Sequence, residues 1–300
     1  SGYVAMMTAN ETAAVLIEAL PYIQRFAGAT VVVKYGGNAL SGTTHTDPLK
    51  VFAEDMVFLA SVGIRPIVVH GGGPQINAEL ERQGIESKFV DGRRVTDAPT
   101  MKVVEEVLAN QVNPSIVDAI NSCGGKARGM SGAKDGLISV VQRNETLGFV
   151  GDVVGIGSRA LAAVISAGEI PVIATVGVDF AGQTFNINAD SVAAFVAGEM
   201  KAEKLLYLTD IEGLRRDVSR ADSLISALTA SELNELLNDG TIAGGMIPKA
   251  ESCMEAVGLG VPAVHILDGR IAHVSIIELF TDAGIGTMVT KSDSTKVAKS

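Results

Sequence analysis

Val31-Val32-Val33-Lys34-Tyr35-Gly36-Gly37-Asn38-Ala39 places a lysine at the end of a β-branched run, directly before paired glycines. Three valines favour an extended, buried strand. Glycines accept backbone angles closed to other residues, so their amides can turn toward an anion, with Lys34 as a point charge at the mouth. Ile67-Val68-Val69-His70-Gly71-Gly72-Gly73-Pro74 repeats the pattern. Here Pro74 suits the first turn of a helix whose amide end faces the loop. Two such units, one carrying a lysine, suggest a small anionic substrate held against a phosphate donor. Three further groups could join that chemistry. Arg93-Arg94 is either a pair of solvated charges or an anion clamp. In Phe185-Asn186-Ile187-Asn188-Ala189-Asp190, the aspartate is either a helix cap or a functional carboxylate. Gly244-Gly245-Met246-Ile247-Pro248-Lys249 opens a helix with a second lysine.

The elements that must position these residues follow from periodicity. Thr8 to Ala27 reads as a helix: Thr8 and Glu11 form a capping box, and Val15, Leu16, Ala19, Leu20, Ile23 and Phe26 make one apolar stripe. Pro21 should kink it, and Gly28 stops it. The helix either packs on its own domain or is offered to another subunit. A polar loop spans Ser41 to Asp47. Further helices are expected from Leu49 to near Gly63, over Gln75–Gln83, and over Pro99–Ala109 continuing to Ser122 with an interruption near Pro114. Later ones cover Ser158–Ala167, Ser191–Gly198, Ala230–Asp239 and Ala250–Gly258. Strands are expected at Pro66–Val69, Ala127–Met130, Leu137–Val141, Gly148–Val154, Ile170–Val176, Leu205–Thr209 and Ala263–Leu267. Phe89–Thr96 reads as a hairpin or two short strands, Ser275–Phe280 as a short element, and the tail from Lys291 as mobile.

Composition bounds the class. The 300 residues are 47% hydrophobic but only 4% aromatic, so the core is built from Val, Ile, Leu and Ala. That suits an α/β protein whose parallel sheet is covered on both faces. A net charge of −10 argues against a general nucleic-acid surface, so a phosphate ligand must be caught by a few local cations. Cys123 and Cys253 show no disulfide or CxxC spacing, and His45, His70, His265 and His273 show no metal-ligand spacing. No uncharged apolar run approaches the ~18 residues of a membrane span, and no basic-then-apolar leader precedes the first helix. A soluble cytoplasmic protein with no membrane partner is the expectation.

Three motif readings fail. A P-loop needs GxxxxGK[ST], and Gly125-Lys126 is followed by Ala127. The glycines at 71–73 could form an oxyanion loop, yet no GxSxG nucleophile elbow exists. Gly155-Ile156-Gly157-Ser158-Arg159-Ala160, with Asp179 downstream, fits a loose dinucleotide pattern but leaves Lys34 and both glycine loops unexplained.

Taken in order, Lys34-Tyr35-Gly36-Gly37-Asn38, His70 to Gln75, Gly92 to Thr96, Asn186 to Asp190 and Gly245 to Lys249 resemble the amino-acid kinase family, and within it the acetylglutamate kinases. The resemblance runs from about Thr8 to Thr290. One departure is Ala133, which follows Gly132 where family members often carry a lysine or an acid. The resemblance implies a three-layer αβα sandwich around a mainly parallel sheet, with an extra N-terminal helix. It implies a helix over residues 8–27 for oligomerisation, an acetylglutamate-binding lobe over 28–187 and an ATP-binding lobe over 188–292.

The implied reaction moves the γ-phosphoryl group of ATP to the side-chain carboxylate of N-acetyl-L-glutamate, giving an acyl phosphate in arginine biosynthesis. Such a carboxylate, with a pKa of about 4.3, is already ionised and needs no general base. The task is to bring two anions together and stabilise the moving charge. By motif match, Lys34 and Lys249 contact the phosphoryl group, and Asp190 orients both lysines. Gly36 and Gly37, with Thr209 and Asp210, serve the nucleotide. Gly72 and Gly73 supply amides to the substrate, Arg94 grips its α-carboxylate, and Asn186 also binds it. No metal ligand is expected from the protein, and Mg²⁺ would arrive with ATP. A sibling kinase acting on another carboxylate, or a non-catalytic amino-acid sensor on the same scaffold, are the alternatives.

The N-terminal helix and the stretch from His273 to Thr287 resemble the arginine-inhibited branch of these kinases. That implies a homohexamer built as a trimer of dimers, with L-arginine as inhibitor at Glu278, His273, Gly284, Lys204 and Tyr22.

Overall fold

Strand alternation sends neighbouring side chains to opposite faces, and here both faces are covered. The computed structural model describes residues 6–37 and 47–292. Ser1-Gly2, the Asn38 end of the first glycine motif, residues 41–46 of the expected polar loop and residues 293–300 of the tail lie outside them. In chain order the elements begin with α1 (Ala9–Phe26), β1 (Thr30–Tyr35), α2 (Pro48–Ser61), β2 (Arg65–His70) and α3 (Gly73–Arg82). A hairpin of β3 (Phe89–Val90) and β4 (Arg93–Arg94) leads to α4 (Ala98–Val107), a π-helical turn (Leu108–Val112) and α5 (Asn113–Ser122). Then come β5 (Ala127–Ser131), β6 (Ile138–Gln142), β7 (Val150–Ile156), α6 (Ser158–Ser166), β8 (Ile170–Ala174), β9 (Val176–Val178) and β10 (Thr184–Ile187). The remainder is α7 (Ala189–Glu199), β11 (Lys204–Thr209), β12 (Ala227–Thr229), α8 (Ala230–Asn238), α9 (Ile247–Gly258), β13 (Ala263–Asp268), α10 (Val274–Phe280) and β14 (Thr287–Thr290).

Eight strands form the main sheet in the order β12-β14-β13-β11-β1-β2-β8-β5. Every neighbouring pair is parallel except β13 with β14. Val32, Val69, Ile173, Leu205 and Tyr207 pack with α6, α7, α8 and α9 on one face. Val31, Val33, Tyr35, Val68 and Leu206 pack with α2, α5, α10 and Phe26 of α1 on the other. This is the expected three-layer αβα sandwich. β1 lies between β2 and β11, so the chain leaves it first to one side and later returns on the other. Loops diverge at such a switch point, and the crevice beyond the strand's carboxyl end is where ligands bind in sheets of this kind.

Some elements differ from the sequence reading. Ile170–Val176 is not one strand. The Thr175 hydroxyl donates to the His70 carbonyl at 3.1 Å, and β9 turns away to join β6, β7 and β10 in a small closed barrel. Phe185-Asn186-Ile187 is therefore strand rather than a polar lead into α7. β12 and β14 are three and four residues long, too short for periodicity to show. The interruption expected near Pro114 is the π-helical turn. Pro114 has no N–H to give to Asn110, and the Asn113 N–H reaches back to the Leu108 carbonyl instead. α1 runs unbroken through Pro21 with its capping box made. Its C-terminal end packs through Phe26, but Val15, Leu16, Ile17 and Leu20 are 42–68% exposed.

Candidate active site

Alternation along β1 puts Lys34 on the same face as Val32, the face that α7 covers, and Tyr35 on the opposite one. Tyr35 stacks on Phe52 of α2 with ring centroids 3.9 Å apart. Lys34 Nζ meets Asp190 Oδ1 at 3.1 Å, the two side chains being 14% and 18% exposed. Asp190 is not the helix cap. Asn188 caps α7, its side-chain oxygen accepting from the Ser191 N–H at 3.0 Å, and Asp190 is left to face the lysine. The Tyr207 hydroxyl pins the same turn by donating to the Asp190 carbonyl at 2.9 Å. Burial pushes the Asp190 carboxyl upward, but Lys34, Lys249 and a hydrogen bond from Ser252 outweigh it and hold it below the usual carboxylate range. Lys249 stands in the first turn of α9, after a 3-10 turn at Gly244–Met246. The helix already presents positive charge there, so a cation at that end is relieved by an anion.

The glycine loops converge on this pair. Gly36 and Gly37 have φ of 114° and 69°, backbone that side chains disfavour. A side-chain carbon on Gly36 would lie 3.5 Å from the Gly71 backbone, and one on Gly71 would lie 3.4 Å from the Ala189 Cβ. The first loop, the second loop and the start of α7 are thus stacked on one another. A carbon on Gly72 would come within 2.7 Å of Leu108 Cδ2. The N–H groups of Gly72 and Gly73, at the start of α3, make no backbone hydrogen bond to any described residue. Behind them His70 is fully buried. Its Nδ1 lies 3.0 Å from the Gly71 carbonyl oxygen and its Nε2 3.0 Å from Asn113 Nδ2.

Arg94 is only 7% exposed. Its guanidinium donates to Asn77 Oδ1 at 2.7 Å and to the Ser87 hydroxyl at 3.1 Å, and lies 4.8 Å from the centre of the Phe89 ring. Among the described residues no carboxylate pairs with it, and burial draws it below the usual arginine range. An enclosed guanidinium held by neutral groups keeps its charge available to an anion. Asn186 Nδ2 lies 3.4 Å from the Thr96 hydroxyl, which itself donates to the Arg94 carbonyl at 2.9 Å. Arg94 and Asn186 are therefore linked through Thr96, with no signal in the sequence spacing.

Thr209 and Asp210 end β11 beside Asp268 and Arg270. The Thr209 hydroxyl lies 3.1 Å from the Ile211 carbonyl in its own turn and 3.2 Å from that of Leu267 in β13, so it ties the turn that carries Asp210 to the neighbouring strand. Arg270 pairs with Asp268 at 2.8 Å.

The residues expected around an effector fall into three contacts on the α10 side. Tyr22 donates to Asp282 at 2.5 Å, near Gly284, whose φ is 61°. Lys204 Nζ lies 2.8 Å from His265 Nε2, and His265 Nδ1 lies 3.1 Å from Glu278. His273 turns to Asp55 of α2 at 2.5 Å. Sequence reasoning missed His265, Asp55, Asn113, Asn77 and Ser87. Each is an isolated polar residue in an otherwise ordinary helix, strand or loop, and only its partner across the fold marks it.

The model of the Amino acid kinase family matches residues 29–268. Acetylglutamate kinase of Desulforamulus reducens is 48% identical over 288 residues, covering 95% of this chain and 99% of that protein. Acetylglutamate kinase of Nostoc sp. is 50% identical over 276 residues, 92% of each. Among solved structures, N-acetylglutamate synthase from Neisseria gonorrhoeae complexed with coenzyme A and N-acetyl-glutamate superposes with a TM-score of 0.79. It is 28% identical, covering 93% of this chain and 63% of that one.

The His70 environment makes a stability prediction. Burial, opposed by the hydrogen bond to Gly71 and aided by the charge of Lys34, draws His70 from 6.5 to about 4. Between those values the unfolded chain takes up a proton that the folded chain refuses. Stability attributable to His70 is therefore complete above about pH 6.5 and declines as pH falls toward 4, by about 3 kcal/mol in all. Asp55, raised to about 6, acts in the opposite sense in any variant that retains it. Melting from pH 7 to pH 4.5 should show the native protein losing more stability than His70→Asn. Parallel curves would contradict this assignment.

Proposed function

The chain belongs to the amino acid kinase family, and we propose that it transfers the γ-phosphoryl group of ATP to the side-chain carboxylate of N-acetyl-L-glutamate. The products are N-acetyl-L-glutamyl 5-phosphate and ADP, and the reaction belongs to arginine biosynthesis. The observation that carries the reading is the Lys34–Asp190 pair at the sheet's switch point, with the charge of Lys249 acting on the same carboxylate.

The substrate carboxylate is ionised at neutral pH, so the protein supplies position and charge rather than a base. Lys34 and Lys249 stabilise the negative charge that spreads over the moving phosphoryl group. Asp190 holds the lysines apart and aimed. The amides of Gly72 and Gly73 face the substrate side, and those of Gly36 and Gly37 face the nucleotide with Thr209 and Asp210. Arg94, aided by Asn186, binds the α-carboxylate. The acetylglutamate lobe is assigned to residues 28–187 and the ATP lobe to 188–292. Among the described residues no group of three or more His, Cys, Asp or Glu side chains stands ready for a metal. Mg²⁺ is assigned to the ATP phosphates, where it would neutralise charge. No described helix is long and apolar enough to cross a membrane, and a cytoplasmic location fits a biosynthetic kinase.

Control is assigned to the α1 side. Val15, Leu16, Ile17 and Leu20 expose an apolar stripe, and covering each large side chain is worth roughly 1.5–3 kcal/mol. Tyr22 ties the helix to the turn at Asp282. A homohexamer, three dimers joined through α1, covers the stripe. L-arginine then binds among Tyr22, Lys204, His273, Glu278 and Gly284 and inhibits by preferring the ring geometry in which the lobes are apart.

Trapping the acyl phosphate as a hydroxamate, with acetylglutamate, glutamate and aspartate in parallel, tests the substrate. Turnover should be confined to acetylglutamate; equal turnover of glutamate would favour a sibling kinase. In the same assay Arg94→Ala should raise the KM for acetylglutamate about 30-fold, the loss of roughly 2 kcal/mol for a charged hydrogen-bonded contact, and leave that for ATP nearly unchanged. Arg93→Ala, one residue away, should behave as the native enzyme. An equal rise for both substrates would assign Arg94 elsewhere. Sedimentation should show a hexamer inhibited by millimolar L-arginine, and removal of residues 1–27 should leave an active dimer with a weakened response. A full-length dimer indifferent to arginine would end the regulatory assignment and leave the kinase assignment intact.

A further inference from the structure

We propose that His70 and Asn113 are positioning residues for phosphoryl transfer, fixing the Gly71–Gly72 peptide plane and so the direction of the Gly72 N–H. The proposal rests on the kinase reading above.

Hydrogen-bond chemistry decides which ring nitrogen carries the proton. The Asn113 Nδ2 donates to the Val172 carbonyl at 2.9 Å. A carbonyl only accepts, so this contact fixes which end of the amide is nitrogen. The same nitrogen lies 3.0 Å from His70 Nε2, and Nε2 must then accept. The proton stands on Nδ1, which donates to the Gly71 carbonyl oxygen at 3.0 Å. Both contacts require the same neutral tautomer, and the ring is completely enclosed. The His70 carbonyl is held in turn by Thr175. A trans peptide carries its C=O and N–H on opposite edges of one plane, and no described peptide is cis. Holding the Gly71 oxygen on the ring therefore points the Gly72 N–H away from it.

The helix that supplies Asn113 is built for this approach. The π-helical turn inserts a residue before Asn113; without it, everything beyond would be rotated by about 100°. Leu108 and Val112 of the same turn press on Gly72, since a carbon there would lie 2.7 and 3.2 Å from them. On the other side a side chain at Gly129 of β5 would overlap Asn113 Oδ1. The amide thus lies between β5 and the ring, and its hydrogen bond to the Val172 carbonyl sets its orientation.

Two substitutions separate positioning from filling space. In His70→Asn the amide nitrogen takes the place of Nδ1 and keeps the donation to Gly71, but gives up Asn113. In His70→Gln the amide reaches the place of Nε2 and keeps Asn113, but leaves the Gly71 carbonyl unheld. Glutamine is nearer the ring in size. H70Q should lose roughly a hundredfold in kcat, the scale of one oriented backbone donor, with the KM for ATP changed less than threefold. H70N should lose about tenfold or less. H70Q equal to or better than H70N would overturn the proposal. The nitrogen NMR shifts of the native histidine give an answer that needs no variant: the neutral Nδ1–H form supports the proposal, and the Nε2–H form overturns it. Native turnover of acetylglutamate is the reference. Its absence would refute the kinase reading, whereas native turnover with the wrong ranking would refute only the positioning role.

Discussion

One ion pair organises the molecule. Lys34 ends the central strand, Asp190 opens a helix more than 150 residues later, and their side chains meet at 3.1 Å in a largely enclosed crevice. Removing one partner of such a pair leaves a charge without water or counter-ion, so both chain segments must arrive together. β1 has β2 on one side and β11 on the other, which is the arrangement that lets segments so distant in sequence close on one point. Asp190 neutralises one cation. Lys249 leaves the site with an excess of positive charge, and the N-terminus of α9 adds to it. A chain with a net charge of −10 thus keeps a local site fit for phosphate.

Size matters as much as charge around that pair. A side-chain carbon on Gly36 would touch the Gly71 backbone and one on Gly71 would touch Ala189, while Gly72 admits no side chain beside Leu108. These small residues let three backbone segments approach one another beside the ion pair. The same crowding makes the supports exacting. His70, Asn113, Thr175 and Tyr207 each hold a backbone carbonyl rather than a ligand. They shape the crevice from behind, in the buried layer where an unpaired polar group is costly.

Much of this was legible in the chain itself. Long apolar runs bounded by glycine marked β1, β2, β8, β11 and β13, because a strand covered on both faces has no polar side to blur it. The loops that follow β1 and β2 were visible for the same reason, and so were the lysines beside glycine-rich turns. The Lys34–Asp190 contact was anticipated only through resemblance to a family; spacing alone left Asp190 open between a helix cap, a role that Asn188 fills, and a functional carboxylate. β6 and β7 were expected as strands, but the small barrel they close was illegible because β9 continues the run of β8 with a single residue between and β10 lies in a stretch that reads as polar. The contacts of Thr96 with Asn186 and of His70 with Asn113 join residues 90 and 43 positions apart. No local pattern encodes such pairs.

In the proposed reaction Lys34 and Lys249 act on the phosphoryl group in flight rather than on either substrate at rest. Steady-state kinetics of Lys34→Ala and Lys249→Ala with ATP and N-acetyl-L-glutamate address this role most directly. In each variant kcat should fall by roughly 10²–10³-fold, while both KM values move far less. A near-normal kcat in either variant, or a loss confined to KM, would contradict it.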